Sequence, residues 1–471
     1  MKNLAKVMVF LGCAFFMGEM SVAVSQQLET TLTTYFGDAP ATNIAIDPAG
    51  NLYGLTIGNT QDSGTVYELV RKSDANFEYK TLYSFGANGA DDGLDPAQTA
   101  TLVLDSNGNL YGTTNAGGAH GLGTVFEVSP ASGGSWTEKV LYSFGDNVSA
   151  DGKGIPNGTL LLMPDGSLFG TTTKGGVHNT GSIFQLSANP DGTWGETVIH
   201  SFPAGSDTSQ IISPLVYYFG DGLILGALQS GNLHSAIFVL VASGDGSWTY
   251  SIAHDFTPAS GNVRLSGPIV VTPGATVYGT YVWDGGPAGS NSGTVYQLSD
   301  FANGWFVTAT YDFPQDSGQY PTANGELPLG GVTMDAHGVL FGSTRVGGDY
   351  NIGGVFQLTP PINETHVGEP FSESFFYSFG DFAGPGSDVW EPVGNLVLDS
   401  VGNLYGTATY HVSGNTGLGQ AFEVNYGRSA ISPPSIDFDA SSDVVSISET
   451  TPNVTVHYTL NGSTPTLASP I

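Results

Sequence analysis

Cysteine is all but missing. The 471 residues hold one, Cys13, inside the first apolar run, so neither a disulfide framework nor a cysteine-ligated metal can organise the rest of the chain. Basic residues are scarce as well: 11 Lys and Arg face 42 Asp and Glu, for a formal net charge of −31. Such a surface repels a phosphate backbone, which argues against nucleic acid as a partner. After the N-terminus no stretch approaches the roughly 18 uninterrupted apolar residues of a spanning helix. The GxSxG elbow, HExxH, the P-loop and the dinucleotide fingerprint are all missing from the sequence.

What is present is glycine and proline, 67 and 26 residues, in a chain of which only 11% is charged. That composition belongs to a turn-rich, all-β protein, and the length suffices for a core that needs no metal or disulfide. At the N-terminus Lys2 and Lys6 precede the apolar run from Val7 to Phe16, and Ala23-Val24-Ser25 places small residues at a cleavage site. Residues 1–25 are therefore expected to be a signal peptide cut after Ser25, leaving a secreted or cell-surface protein with no transmembrane segment. A lipoprotein signal at Leu11-Gly12-Cys13 is the lesser alternative.

One aromatic-glycine signature recurs seven times, as NLYGLT, NLYGTT, SLFGTT, LILGAL, TVYGTY, VLFGST and NLYGTA. Its glycines, Gly54, Gly112, Gly170, Gly226, Gly279, Gly342 and Gly406, are separated by 58, 58, 56, 53, 63 and 64 residues. Each copy lies in the same order of elements. An alternating strand a (TLVLD, from Thr101) ends in an Asn-Gly turn, and strand b carries the signature. A glycine-rich loop leads to strand c (GTVFEV, from Gly123), and strand d ends in LYSFG (Leu141 to Gly145). Strand c recurs seven times, but strand d follows it only six times. The seventh match, Thr33-Thr34-Tyr35-Phe36-Gly37, precedes the first strand a, as circular closure requires. The prediction is a seven-bladed β-propeller of four-stranded antiparallel blades over 28–426, its last blade completed by the N-terminal strand; an open stack of seven sheets is the competitor.

These repeats (LYGTT, a GG loop, GTVFEL-like, LYSFG) resemble the bacterial GloVer repeat of choice-of-anchor proteins, a resemblance that implies a fold and no reaction. After a linker at 427–434, Val454 to Thr466 (VTVHYTLNGSTPT) resembles part of the chitobiase C-terminal-like β-sandwich module. Residues 435–471 are expected to be an incomplete copy of that sandwich.

Candidate sites are weighed against folding roles. The signature aromatics (Tyr53, Tyr111, Phe169, Tyr278, Phe341, Tyr405) are read as packing between blades, and the regularly spaced Trp136, Trp194, Trp248 and Trp305 as shielding an outer strand edge, in preference to sugar stacking. The signature glycine is read as permitting close backbone approach near the axis. Asp91, Asp92, Asp95, Asp146 and Asp151 gather in loops between strands d and a; they suit calcium, although simple solvated loops are the commoner outcome. His120 and His178 occupy equivalent b–c loop positions, and Trp283 with Asp284 forms an aromatic-carboxylate pair unique to unit five. The expected function is a noncatalytic, monomeric binder of glycan or surface polymer, with no cofactor required. The alternatives are a glycan hydrolase or lyase, and a purely structural surface module.

Overall fold

The computed structural model describes residues 8–12, 29–33, 40–58, 63–73, 76–89, 91–97, 100–145, 156, 158–203, 210–211, 213–218, 221–229, 235–256, 262–284, 293–301, 304–313, 327–348, 352–359, 371–379, 389–392, 394–411, 420–424, 435–439, 444–448 and 455–459. The chain divides into two units, and the larger, Glu29–Asn425, holds seven antiparallel sheets arranged as a β-propeller. Blade 1 runs Pro40–Ile46, Leu52–Thr56, Thr65–Ser73 and Asn76–Ser84 as strands a to d. Blade 2 runs Val103–Leu104, Leu110–Gly117, Thr124–Pro130 and Trp136–Ser143, with Gly93–Pro96 also pairing to its strand b. Blades 3 to 6 repeat the a-b-c-d order around strands b at Leu168–Thr172, Leu223–Gln229, Thr276–Asp284 and Leu340–Thr344.

Blade 7 closes the ring as the repeat arithmetic predicts. Glu29–Thr33 lies antiparallel to strand c, Gln420–Val424, which pairs in turn with strand b, Leu404–His411. The register differs from the motif match by one residue. Thr33 faces Ala421, the strand c position that Tyr83 and Tyr142 face as Val66 and Val125 in blades 1 and 2. Thr33 thus takes the place of the Tyr in LYSFG, not of the Leu, although the bulge in strand d falls at the same strand c step as in blades 1 and 2. Residues 34–37 lie outside the described residues.

The a–b turn is built by one device. Asp105 Oδ1 accepts hydrogen bonds from the backbone N–H of Asn107 (2.8 Å) and Asn109 (2.9 Å), and Gly108 supplies a φ of 83°. Asp47, Asp335 and Asp399 repeat it with Ala49 and Asn51, His337 and Val339, and Val401 and Asn403. Those side-chain bonds fix the turn that carries the chain into the buried strand b.

The signature glycine has a different cause from the one expected. In all seven blades it pairs across the ladder with the aromatic of strand c: Tyr67, Phe126, Phe184, Phe238, Tyr296, Phe356 and Phe422. A Cβ at Gly112 would lie 2.5 Å from Phe126 Cζ. Glycine makes room for a ring lying across it, so close backbone approach near the axis is not the reason. That ring then meets the next structural device, the Phe of LYSFG from the preceding blade. Phe85 packs edge-on to Phe126, Phe144 to Phe184, Phe313 to Phe356 and Phe379 to Phe422, with centroids 5.0 to 5.3 Å apart. Core clusters accordingly draw on two neighbouring blades each.

The second unit comprises Met1–Leu28 and Tyr426–Ile471. Met8–Gly12 pairs antiparallel with Thr455–Thr459, and Ser435–Asp439 pairs with Val444–Ser448. Part of the apolar run expected to be a signal-peptide core, Met8–Gly12, thus forms a strand. The linker at 427–434 lies outside the described residues, among which no helix is long and apolar enough to cross a membrane.

Candidate functional site

Folding accounts for most of the conspicuous residues. Tyr53, Tyr111, Phe169, Tyr278, Phe341 and Tyr405 are buried between blades. Trp136, Trp194, Trp248 and Trp305 are each half-buried against the cluster joining their own blade to the preceding one. The expected packing role holds for the signature aromatics.

The described loop residues singled out from sequence are spread over blades 2, 3 and 5. His120 and His178 are exposed on the b–c loops of blades 2 and 3, with the His120 Cβ close over Gly145. Trp283 and Asp284 end strand b of blade 5, opposite Val263 and Asn262; their side chains lie outside the described residues. Asp91 is exposed, Asp95 holds a left-handed φ of 56°, and Asp146 and Asp151 lie outside the described residues. Asp92 turns inward and is 2% exposed. Among the described residues, no three His, Cys, Asp or Glu side chains converge as a metal site.

A groove of about 540 Å³ lies along the outer strands of blades 2 and 3, where sequence reading placed no site. Tyr142 and Lys139 line it from strand d of blade 2, and Trp194 and Glu196 from strand d of blade 3, Trp194–Ser201. The Tyr142 hydroxyl donates to Glu196 Oε2 at 3.2 Å, and Lys139 Nζ donates to the Gly192 carbonyl at 3.4 Å. A half-exposed indole beside a carboxylate, an ammonium group and the Thr193 backbone can hold a molecule with one apolar face and several hydroxyls.

The same slot is filled differently at the next two junctions. His200 replaces Tyr142 in blade 3 and stacks on Tyr250 of blade 4, with centroids 3.8 Å apart and planes at 11°. Burial there holds the His200 imidazole below its usual range and pushes the Tyr250 phenol up to about 12. At the junction after that, His254 Nδ1 lies 3.0 Å from the Trp305 carbonyl oxygen. Ring-on-ring stacking closes the slot that the Tyr-Glu pair leaves lined by polar groups. A signal for this was present in the sequence: units two and three read Trp-x-Glu where units four and five read Trp-x-Tyr and Trp-x-Val.

A second cavity, of about 470 Å³, lies between blades 7 and 1 and is lined by Asp47, Arg71 and Asp399. Arg71 Nη1 donates to Asp399 Oδ2 at 3.1 Å, and the Tyr405 hydroxyl lies 3.0 Å from Asp399 Oδ2 and 3.1 Å from Glu423 Oε1. Burial works against it, but the amides of Asn403 and Val401, with Arg71 and Tyr405, hold the Asp399 carboxyl below its ordinary value. The charged groups that line this cavity include an ion pair of their own, Arg71 with Asp399.

The architecture defines a repeat protein of the seven-bladed propeller class. Residues 17–240, which contain the first four signatures, match the family model described as the Gloeobacter/Verrucomicrobia repeat, and that segment carries the repeat. No curated protein is matched. Among solved structures, a protein of unknown function from Dyadobacter fermentans superposes with a TM-score of 0.40 at 11% identity, covering 84% of this chain and 98% of that one. A polysaccharide lyase described as an ulvan lyase gives 0.41 at 11% identity, covering 80% and 92%. An α-L-arabinanase from Penicillium chrysogenum, complexed with arabinobiose, gives 0.37 at 13% identity, covering 83% and 95%.

Proposed function

We propose that the protein is a secreted, monomeric, noncatalytic binder of uncharged carbohydrate, and that the groove between blades 2 and 3 is where it binds. The observation that carries this reading is the juxtaposition of Trp194, Tyr142, Glu196 and Lys139 in one groove. Sugar rings offer an apolar face to an indole and hydroxyls to a carboxylate and an ammonium group. The net charge of −31 disfavours polyanionic glycans and leaves neutral ones. On the loop-rich face, Trp283 and Asp284, with His120 and His178, are a second candidate contact.

The test is retention on neutral polysaccharides together with an assay for newly released reducing ends. Retention without product is expected. Trp194→Ala should weaken retention about tenfold or more, the scale of an aromatic anchor. Because Trp194 also packs between blades, Glu196→Gln and Lys139→Met are the companion variants, each expected to weaken retention in a chain that melts as the wild type does. Product release would replace this reading with the enzymatic one. Retention unchanged in all three groove variants but lost in Trp283→Ala would move the site to the loop face.

A further inference from the structure

Two carboxylates at the junction of blades 1 and 2 each keep one buried oxygen without a hydrogen-bond partner: Asp92 Oδ1 and Glu138 Oε1. Asp92 comes from the loop entering blade 2 and is 2% exposed; Glu138 comes from strand d of the same blade. Their other oxygens are held in place. Asp92 Oδ2 accepts from the Tyr83 hydroxyl at 2.6 Å and from the Asn88 backbone N–H at 3.1 Å. Glu138 Oε2 accepts from Asn88 Nδ2 at 3.0 Å, so Asn88 grips both carboxylates. Burial, opposed by the Asn88 hydrogen bond and reinforced by the charge of Asp92, pushes the Glu138 carboxyl up to about 7. No ion pair among the described residues includes either one.

Two like charges with buried, unpartnered lone pairs and no cationic side chain are costly to keep. A proton relieves one oxygen. A hard divalent cation relieves both and offsets both charges.

We propose that Asp92 Oδ1 and Glu138 Oε1 bind a hard divalent cation, Ca²⁺ or Mg²⁺, that pins the loop entering blade 2 to the outer strand of that blade, beside Tyr83 of blade 1. Donors that are all oxygen exclude a preference for softer metals. The site shares only Asp92 with the loop set expected from sequence, since Glu138 is supplied by a strand 46 residues farther on (138 − 92). It stands independently of the carbohydrate groove, which uses neither residue.

The experiment is thermal melting of the full chain after chelation, then with excess Ca²⁺ or Mg²⁺ in separate arms. One of the cations should raise Tm by about 2–5 °C in the wild type. That rise should vanish in Asp92→Asn and in Glu138→Gln. Glu138→Gln also guards against simple misfolding: its amide can donate to Asp92, so the metal-free variant should melt no lower than the metal-free wild type while losing the response. Terbium luminescence excited through Tyr83 gives a second readout, quenched by the effective cation. No Tm rise with either cation, or an equal rise in both variants, overturns the proposal.

Discussion

Blades 7 and 1 and blades 3 and 6 fill one structural slot in two ways. In blades 1 and 7 the signature aromatic is a tyrosine paired across the ladder with a glutamate, Tyr53 with Glu68 and Tyr405 with Glu423. Its hydroxyl lies between that carboxylate and the turn aspartate, Asp47 or Asp399. In blades 3 and 6 the pairs are Phe169 with Gln185 and Phe341 with Gln357. Glutamate on strand c faces only tyrosine, although the tyrosine of blade 5, Tyr278, faces Gln297: a buried carboxylate needs a donor, and a phenylalanine offers none. The polar version also joins blades: Arg71 of blade 1 reaches Asp399 of blade 7, and the Asn395 backbone N–H donates to Asn43 Oδ1 at 3.0 Å. The ends of the chain meet at this junction, where hydrogen bonds supplement the ring packing used elsewhere.

The hardest blow to that junction is removal of Glu29–Thr33, which leaves Gln420–Val424 as an open edge. Cooperative melting of the whole ring should be lost; a variant that still melts in one transition at the wild-type Tm would refute closure. Next comes Gly406→Ala, set against Gly170→Ala in blade 3. Both place a Cβ inside the facing ring and should cost about 1–3 kcal/mol in denaturant titrations, so similar losses would show that this device does not depend on the polar network.

Tyr405→Phe, which strands Glu423 and weakens the hold on Asp399, should cost about 1–3 kcal/mol. Adding Glu423→Gln, which recreates the pair of blades 3 and 6, should recover much of that loss. Additive losses would break the comparison. Arg71→Met should cost about 1 kcal/mol, and the loss should shrink in high salt.

The smallest effect is in pH. The folded-state pKa of His200 lies below the unfolded value of 6.5, so the neutral ring adds stability above pH 6.5 that is lost as pH falls through the folded value. Stability measured between pH 7 and 5 should therefore decline less in His200→Tyr than in the wild type.

Much of the ring was legible in the sequence. The seven LYGTT-like copies, the turn aspartates and the surplus strand at the start are local patterns, and each specifies one strand or turn. The one-residue offset at Thr33 escaped because the motif match compares residues along the chain, whereas only the ladder with Gln420–Val424 shows which residue faces Ala421. The glycine was misread for a related reason: its partner ring, such as Phe126, lies 14 residues away (126 − 112) on the facing strand, visible only once the ladder is aligned. The co-substitution of Tyr with Glu was present in the sequence, but it gains meaning only when those positions are seen opposite one another.

The sequence by itself determined the strand count, their order and the closure of the ring, because turn chemistry, strand alternation and an exact surplus of one strand leave few other arrangements. Tertiary structure alone decided the candidate sites. Tyr142 meets Glu196 across a blade junction, and Asn88 bonds to both Asp92 and Glu138, which lie far apart in the chain. Whether such a slot opens as a groove or closes as the His200–Tyr250 stack depends on the two blades that face it, and on neither alone.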